Sequence, residues 1–505
     1  MKYVLTSNEM KSADSRMIKN IGVPSLVLME RAALQCVNAI KDANYDMDLT
    51  LVVCGSGNNG GDGFAIARML YCENYKVDVV FAGRMESRSE ETRQQMEILE
   101  KLGCEILTEI PDRKYDVVLD AIFGIGLCRE IQGRYLDVIN KMNSLTGYKV
   151  AVDIASGVSA DTGNILGTAF KADLTVTFAW GKIGQYLTPG SLYSGKVLVK
   201  DIGITEPDWN RENLHYILEE DDLKELMPQR KPDSNKGTYG KLLIIAGSKG
   251  MSGAAYLSAK AAYKTGAGLV RIYTEESNRI ILQQLLPEAI ITTYESDKED
   301  CFDNLQEMIN WADNICIGCG LGTGDKSLEL IRKFLHMNNK PCVIDADGLN
   351  NISCLSEEDK ALLNKEGTSY ILTPHMKEMS RICGHSVGEL KNARTTLAKE
   401  FIEKYNVICV LKDSRTIVAE NNRAVYINIT GNSAMAKAGS GDVLAGVIAG
   451  LLSQGVMPYN AAVTGVFLHG LSGDAARRNC GSYSVLAEDL LKGIGDTLKS
   501  MEAHY

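Results

Sequence analysis

Two glycine-rich turns in this chain end in a carboxylate that could move a proton. One reads Gly439-Ser440-Gly441-Asp442 and runs into an apolar stretch with helical spacing. Glycines there let successive backbone N–H groups point into one concavity at a helix N-terminus, an anion hole suited to a developing phosphoryl charge. Asp442 sits at its rim, where it could accept a proton from an attacking hydroxyl or do no more than cap the helix. The other turn reads Gly55-Ser56-Gly57-Asn58-Asn59-Gly60-Gly61-Asp62-Gly63 and follows the apolar run LTLVVC. The letters G-x-G-x-x-G between a strand and a helix match a dinucleotide fingerprint, but two features speak against a dehydrogenase. Asp62 puts a carboxylate where a pyrophosphate would meet the helix N-terminus, and the next strand ends Phe81-Ala82-Gly83-Arg84 without an acid for the ribose. A purely structural turn is the bland alternative.

Further along, DAIFGIGLCRE brings Asp120 to the end of an apolar run ahead of Gly124-Ile125-Gly126-Leu127, and VDIASGVSADTG does the same for Asp153 and Ser156. Strand ends of an open parallel sheet converge on one crevice. Asn59, Asp120 and Ser156 would supply oxygens there, with Asp62 and Asp153 as further carboxylates. Hard oxygens carrying few net charges suit a weakly held cation better than zinc. Cys316 and Cys319 form a lone C-x-x-C, which without a second pair reads as a buried strand and its turn. Gly320-Leu321-Gly322-Thr323-Gly324 is followed by Asp325 before Lys326-Ser327, so no Walker A loop exists and a P-loop NTPase is excluded.

The elements that must position these residues are visible as short apolar runs alternating with amphipathic stretches, the pattern of α/β units with parallel strands. In the first half the candidate strands are LTLVVC from Leu49, KVDVVFA from Lys76, DVVLDAIF from Asp116, KVAVDI from Lys149, LTVTFA from Leu174 and KVLVKDIG from Lys196. After Gly203 a polar, acidic, proline-marked connection carries no long apolar strand, and a domain boundary is expected near it. The second half restarts with KLLIIAGS from Lys241, VRIYT from Val270, ICIGCG from Ile315, CVIDAD from Cys342, YILTPH from Tyr370 and VICVLKD from Val407, then closes on a helix-rich tail from Asp442.

Bulk properties narrow the function classes. With 505 residues, 45% hydrophobic and 23% charged, two globular domains are the default. A net charge of −10 offers no general attraction to nucleic acid or an anionic membrane, so an anionic ligand would need a local site. The N-terminus MKYVLTSNEMKSADSRM has no signal-peptide core, and no run of about 18 apolar residues occurs. Thirteen scattered cysteines fit thiols kept reduced, and a cytoplasmic location is expected.

Together, NNGGDGFAIARML, DAIFGIGLCRE, VDIASGVSADTG and TFAWGKIGQYLTPGSLYSG resemble the NAD(P)H-hydrate epimerase domain over nearly all of residues 1–212. The resemblance implies a Rossmann-like domain in which Asn58, Asn59, Gly60, Gly61 and Asp62, with Gly124, Ile125, Gly126, Leu127, Cys128, Arg129 and Glu130, bind the hydrated dinucleotide. It implies potassium among Asn59, Asp120 and Ser156, and Asp153 against the hydrated nicotinamide ring. Lys182 would be a proton-transfer partner or, as readily, a solvated lysine at a strand end. Inversion at the hydroxyl-bearing carbon can run by losing and regaining that hydroxyl with acid and base help.

The second half, with KGTYGKLLIIAGSKGMSGAAYLSAKAAYKTGAGLV, GCGLG, DADGLN, LTPHMKEMSR, LKDSRT and AGSGDVLAG in order, is similar to ribokinase-like enzymes and in detail to the NAD(P)H-hydrate dehydratase family. The likeness implies two tandem three-layer αβα domains, the second spanning 225–505. Gly253, Gly322 and His375 would line the hydrated dinucleotide. Lys412, Asp413, Ser414, Arg415 and Thr416, with Asn432, Ser433, Ala434, Met435, Ala436, Lys437, Ala438, Gly439, Ser440 and Gly441, would hold the nucleotide, and Asp442 would be the base. Met376, Lys377, Cys319 and Asp413 depart from the family pattern. Fused halves of this kind resemble the bacterial and archaeal bifunctional form, which implies ADP as phosphoryl donor with magnesium bridging its phosphates. A homo-oligomer is expected. The alternatives are a ribokinase-like kinase for a vitamin precursor, and a first half that binds without catalysing.

Overall fold

The computed structural model describes residues 1–502 of the 505. Its internal contacts divide the chain into Tyr3–Asn210 and a second unit made of Met1–Lys2 with Arg211–Tyr505.

The first unit holds β1 (Lys2–Leu5), β2 (Leu49–Cys54), β3 (Lys76–Phe81), β4 (Ile106–Leu107), β5 (Val117–Ala121), β6 (Tyr148–Val152), β7 (Leu174–Phe178), β8 (Gly181–Lys182) and β9 (Lys196–Lys200). Seven of these form an all-parallel sheet in the order β4-β3-β2-β5-β6-β7-β9. Such strands are covered on both faces and so read as unbroken apolar runs rather than alternating ones, as LTLVVC does. Strand order reverses between β2 and β5, and at such a reversal the crevice at the carboxyl ends opens. The Gly55–Gly63 turn leaves β2 there, and Asp120 is the penultimate residue of β5. A short parallel ladder aligns Val4 with Gly181 and Leu5 with Lys182. It leads into helix Ser7–Ser15, started by a capping box in which Thr6 Oγ1 accepts from the Glu9 amide and the Glu9 carboxylate from the Thr6 amide.

The second unit contains β10 (His215–Ile217), β11 (Lys241–Ile245), β12 (Leu269–Glu275), β13 (Ile290–Tyr294), β14 (Asn314–Ile317), β15 (Cys342–Ile344), β16 (Tyr370–Leu372), β17 (Ile408–Leu411), β18 (Ile417–Ala419) and β19 (Val425–Ile427). They run in the order β13-β12-β11-β14-β15-β16-β17-β18-β19-β10. The six pairings from β13 to β17 are parallel, and β17, β18 and β19 then form an antiparallel meander. The polar connection after Gly203, expected to lack a long strand, carries the three-residue β10, which pairs with β19.

Two helices cover the middle of this sheet, Ser252–Thr265 and Ser440–Ser453. They meet backbone to backbone: a Cβ on Gly446 would collide with Ser258 O, and one on Gly450 would stand 2.8 Å from Ala262 O. Glycine costs about 1 kcal/mol against alanine inside a helix, and here that cost is tied to close approach. Helices Pro458–Ser484 and Ala487–Glu502 complete the tail. Among the described residues no helix is long and apolar enough to cross a membrane.

Candidate functional site

In the first unit, a cavity of about 700 Å³ opens at the carboxyl ends of β2 and β5. Asn58, Asn59, Asp62, Gly124, Ile125, Gly126, Leu127, Cys128, Arg129, Asp153 and Lys182 all line it. Gly60 and Gly61 serve packing instead. A Cβ on Gly60 would fall onto Gly55 O, and one on Gly61 would stand 2.5 Å from Met29 Cε, so the turn depends on their lacking one. Glu130 lies exposed outside the lining.

Asp153 follows β6 with φ 65°, a conformation rare outside glycine, asparagine and aspartate. Gln185 Nε2 donates to its carbonyl at 2.7 Å and holds that turn. Lys182 is buried rather than solvated, its side chain 1% exposed. Its ammonium donates to Asp153 Oδ1 at 2.5 Å, Thr177 Oγ1 at 2.7 Å and Phe178 O at 3.2 Å, which uses all three N–H groups. Two other carboxyl groups share the cavity. Asp62 is pushed well above the ordinary carboxylate range by burial and by the nearby charges of Asp153 and Asp14. Asp14, from the N-terminal helix, is pushed up to about 6, chiefly by burial.

The oxygens expected to hold a cation lie together beside this cavity. Ser156 donates its amide to Asp120 Oδ2 at 2.7 Å and its hydroxyl to Asp120 Oδ1 at 2.7 Å, and Ser156 Oγ accepts the Phe123 amide at 2.9 Å. Asp120 is fully buried, and burial pushes it up to about 6 despite these hydrogen bonds. Asn59 is 8% exposed and its Nδ2 has no partner. One buried carboxylate with neutral oxygens around it fits a monovalent ion. Among the described residues no group of three His, Cys, Asp or Glu side chains could hold a metal.

Asp14 had no sequence signal of the kind that marks Asp62. Its helix begins far from any glycine turn, and the one clue is a carboxylate one turn after Met10, on a helix that buries Met10 and Ala13.

The second site gathers at the carboxyl ends of the parallel strands and the N-terminus of helix Ser440–Ser453. Gly439 has φ 89°, and a Cβ there would meet Leu257 Cδ1 at 2.6 Å. The bare side of Gly441 leaves Lys412 Nζ and Asp345 Oδ2 at 3.5 and 3.6 Å from where its Cβ would be. Lys412 Nζ donates to buried Asp345 Oδ1 at 2.6 Å, so a cation stands beside the amides of the anion hole. Asp442, in the first helical turn, is pushed up to about 6 by burial and then by Asp345. The buried Cys319 thiol is pushed up by Cys316 and by burial, and in part by the Asp442 charge, which places that departure from the family pattern near the site. Asp345 precedes Ala346 at φ 50° and ψ −120°, a strained turn that aims the aspartates of DADGLN inward.

Gly322 is pinned by its amide to Asp347 Oδ2 at 2.8 Å and by Asn351 Nδ2 to its carbonyl at 2.9 Å. Nothing lies within 4 Å of a Cβ built on Gly253, which faces open space. Ser248 joins these two loops through its amide and hydroxyl to Gly320 O. His375 Nδ1 accepts the amides of Lys377 and Glu378, and its Nε2 lies 3.4 Å from Glu378 Oε1. Met376 and Lys377 thus start a capped helix, Met376–Cys383.

Around the expected nucleotide segments, Lys412–Thr416 forms the turn between β17 and β18. Arg415 donates to Ile429 O at 2.5 Å, Thr416 Oγ1 donates to Asp413 O at 3.1 Å, and Asp413 pairs with Arg394 at 2.9 Å. Asp474 ties down the other segment, accepting the Gly431 amide at 2.9 Å and Asn432 Nδ2 at 2.7 Å. Ser433, Ala434 and Met435 form a single 3-10 turn, and Ala436, Lys437 and Ala438 carry the chain on to Gly439. Arg394 and Asp474 escaped the sequence reading because both are charged residues on helices with no motif around them.

A Rossmann-like domain with a carboxylate-lined cavity, followed by a ribokinase-like domain with a carboxylate at a glycine turn opening a helix, is the class of enzyme defined by this fold. Residues 25–184 match the family model described as YjeF-related protein N-terminus, and residues 242–495 match that of NAD(P)H-hydrate dehydratase. The chain is 35% identical to the bifunctional NAD(P)H-hydrate repair enzyme Nnr of Moorella thermoacetica, covering 99% of this chain and 97% of that one. It is 33% identical to Nnr of Escherichia coli K12, covering 94% and 90%. Among solved structures, the ADP/ATP-dependent NAD(P)H-hydrate dehydratase of Bacillus subtilis, co-crystallised with ATP and Mg²⁺, superposes with a TM-score of 0.50 at 30% identity over 56% of this chain and 97% of that one. The chain belongs to the bifunctional NAD(P)H-hydrate repair enzyme family.

Proposed function

We infer that the first domain interconverts the R and S hydrates of NADH and NADPH, and that the second dehydrates the S hydrate at the expense of ADP, giving AMP and phosphate. The observation that carries this is one chain holding both a carboxylate-lined cavity of dinucleotide size and a separate carboxylate base at a glycine anion hole.

In the second domain the ring hydroxyl gives its proton to Asp442 as its oxygen attacks the terminal phosphorus of the nucleotide. The amides of Gly439 and Gly441, with Lys412 beside them, would face the charge on the transferred group, while the Ser440 amide donates to Lys437 O at 3.3 Å and holds the turn. Phosphate then departs as the ring nitrogen donates its electron pair. Loss of a proton from the neighbouring ring carbon restores the double bond. Gly253, Gly322 and His375 would surround the dinucleotide, and the segments 412–416 and 432–441 the nucleotide. Magnesium, when bound, would neutralise phosphate charge, and the lack of a three-ligand protein cluster among the described residues suits an ion carried mainly by phosphate oxygens.

In the first domain Asp153, oriented by Lys182, would face the hydrated ring, with potassium held by Asn59, Asp120 and Ser156 near the dinucleotide. The partners would be small molecules, NADHX, NADPHX and ADP, with neither nucleic acid nor membrane, and the enzyme would act as a homo-oligomer. All thirteen cysteines are free thiols, which supports a reducing, cytoplasmic location. Mixed hydrates of NADH incubated with ADP should recover the full absorbance of the reduced ring. Recovery of the S fraction alone would remove the epimerase half of the reading, and no recovery would remove the dehydratase half.

A further inference from the structure

We propose that Asp14 is a catalytic acid and base of the epimerisation, giving a proton to the departing ring hydroxyl and taking it back when water returns. The inference rests on the reading that the first cavity holds the hydrated dinucleotide.

The helix that carries Asp14 is fixed at its start. Besides its capping box, the Ser7 amide and hydroxyl donate to the two oxygens of Asp161, at 2.5 and 2.9 Å. Asp14 therefore reaches the cavity wall from an anchored element, next to Met10 from the preceding turn. Hydrogen bonding separates the cavity's acids. Asp153 is committed to Lys182 and Thr177. Asp14 and Asp62 make no hydrogen bond to any described residue. Asn59, on the same wall, is more than nine-tenths buried with Nδ2 unpartnered. Asn59 Nδ2 is a buried polar atom without a partner, and the half-buried carboxyl groups of Asp14 and Asp62 face the same cavity without a hydrogen bond, an arrangement that calls for a polar ligand because buried polar groups in native proteins are almost always paired.

Proton affinity then separates Asp14 from Asp62. Asp62 is pushed well above the ordinary carboxylate range by burial and by the charges of Asp153 and Asp14, which favours its proton-holding form. Asp14, at about 6, can both give and take a proton near neutrality, the condition under which a general acid–base group works best. Charged and titratable groups facing it are Lys11 on its own helix and Asp62, Glu91, Arg129, Asp153 and Lys182 from the surrounding walls.

The step balances without any co-reactant. The Asp14 proton passes to the hydroxyl oxygen, the carbon–oxygen bond breaks, and water leaves as the ring nitrogen's electron pair forms a carbon–nitrogen double bond. Water then adds to the opposite face, the pair returns to nitrogen, and the surplus proton goes back to the Asp14 carboxylate. Asp153 stands by as the negative charge beside the cationic ring.

The test is the purified full-length protein carrying Asp14→Asn, assayed by chromatographic separation of the R and S hydrates of NADH. Interconversion is expected to fall about a hundredfold in kcat with KM changed less than threefold, while ADP-driven dehydration of the S hydrate in the same preparation stays at wild-type rate. Wild-type kcat should fall as pH rises through about 6, and that limb should be missing in the variant. Asp14→Glu, which restores the acid, should recover activity above the asparagine level. Near-normal kcat in Asp14→Asn, a loss confined to KM, or a persisting limb near pH 6 would each overturn the assignment. A wild-type protein that dehydrates the S hydrate but never interconverts the epimers would instead bring down the functional reading beneath it, and the inference with it.

Discussion

The two sites face opposite electrostatic problems. The first must live with positive charge forming on a ring as a hydroxyl departs, and it presents Asp14, Asp62 and Asp153 around one cavity. On the proposed chemistry the second must live with negative charge spreading over a phosphoryl group, and it has the amides of Gly439 and Gly441 with Lys412 alongside. Side chains therefore dominate one site and backbone the other. Burial also raises carboxyl groups to about 6 in both, Asp14 and Asp120 in the first and Asp442 in the second. On the proposed roles, burial would tune proton transfer in both sites.

The sharpest way to break this comparison is Asp442→Asn. Asparagine keeps the size and can still cap the helix, so nucleotide binding by calorimetry should change only a few-fold while dehydration drops a hundredfold or more. Near-normal turnover would reduce Asp442 to a cap. Next in size, Asp153→Asn should lower interconversion by about a hundredfold and spare dehydration. Asparagine tolerates the positive φ at this position, so a loss in a variant with an unchanged melting midpoint reports chemistry and not strain. A fall in both activities would mean that the sites are not separable.

Smaller effects sharpen the contrast. Because the Asp442 carboxyl is raised to about 6 and must be ionised to accept a proton, dehydration should fall about tenfold between pH 7 and pH 5, a loss absent from Asp442→Asn. Interconversion, limited by the acid form of Asp14, should rise over the same interval, so the two pH profiles of one protein should cross. Replacing potassium by a bulky organic cation should weaken ligand binding in the first domain several-fold, measured by titration with the hydrated dinucleotide, with the second domain unmoved. The smallest functional change is expected for Asp413→Gly. Arg394 already neutralises Asp413, so nucleotide affinity should stay within about twofold, while the stranded buried arginine lowers the melting midpoint.

Most of the parallel strands were legible because strands buried on both faces leave unbroken apolar runs such as LTLVVC and KLLIIAGS. Strands β1, β4, β8, β10, β13, β18 and β19 were not: five of them have only two or three residues and carry no periodicity, and β1 and β13 are short and only partly buried. Asp120 and Asp153 could be placed on the crevice by their position at strand ends, and Asp442 by its glycines. Asp345 and Lys412 form an ion pair across 67 positions, and nothing local announces which partner each will find. Asp14 was hidden for the same reason. Its role depends on where a separate helix docks, and docking is a property of the packed core and not of a motif.

The glycine seam between helices Ser252–Thr265 and Ser440–Ser453 constrains how such an enzyme can diverge. One helix starts at the Gly253 loop and the other at the Gly439–Gly441 turn, so on the proposed roles the distance from acceptor to donor would be a built dimension, set by backbone contact at Gly446 and Gly450 farther along the same helices. Residues in the loops can drift toward new acceptors one at a time while that dimension holds. A single methyl group added to the seam would alter the reach of phosphoryl transfer for every acceptor at once, which makes specificity evolvable and the gauge of the reaction hereditary.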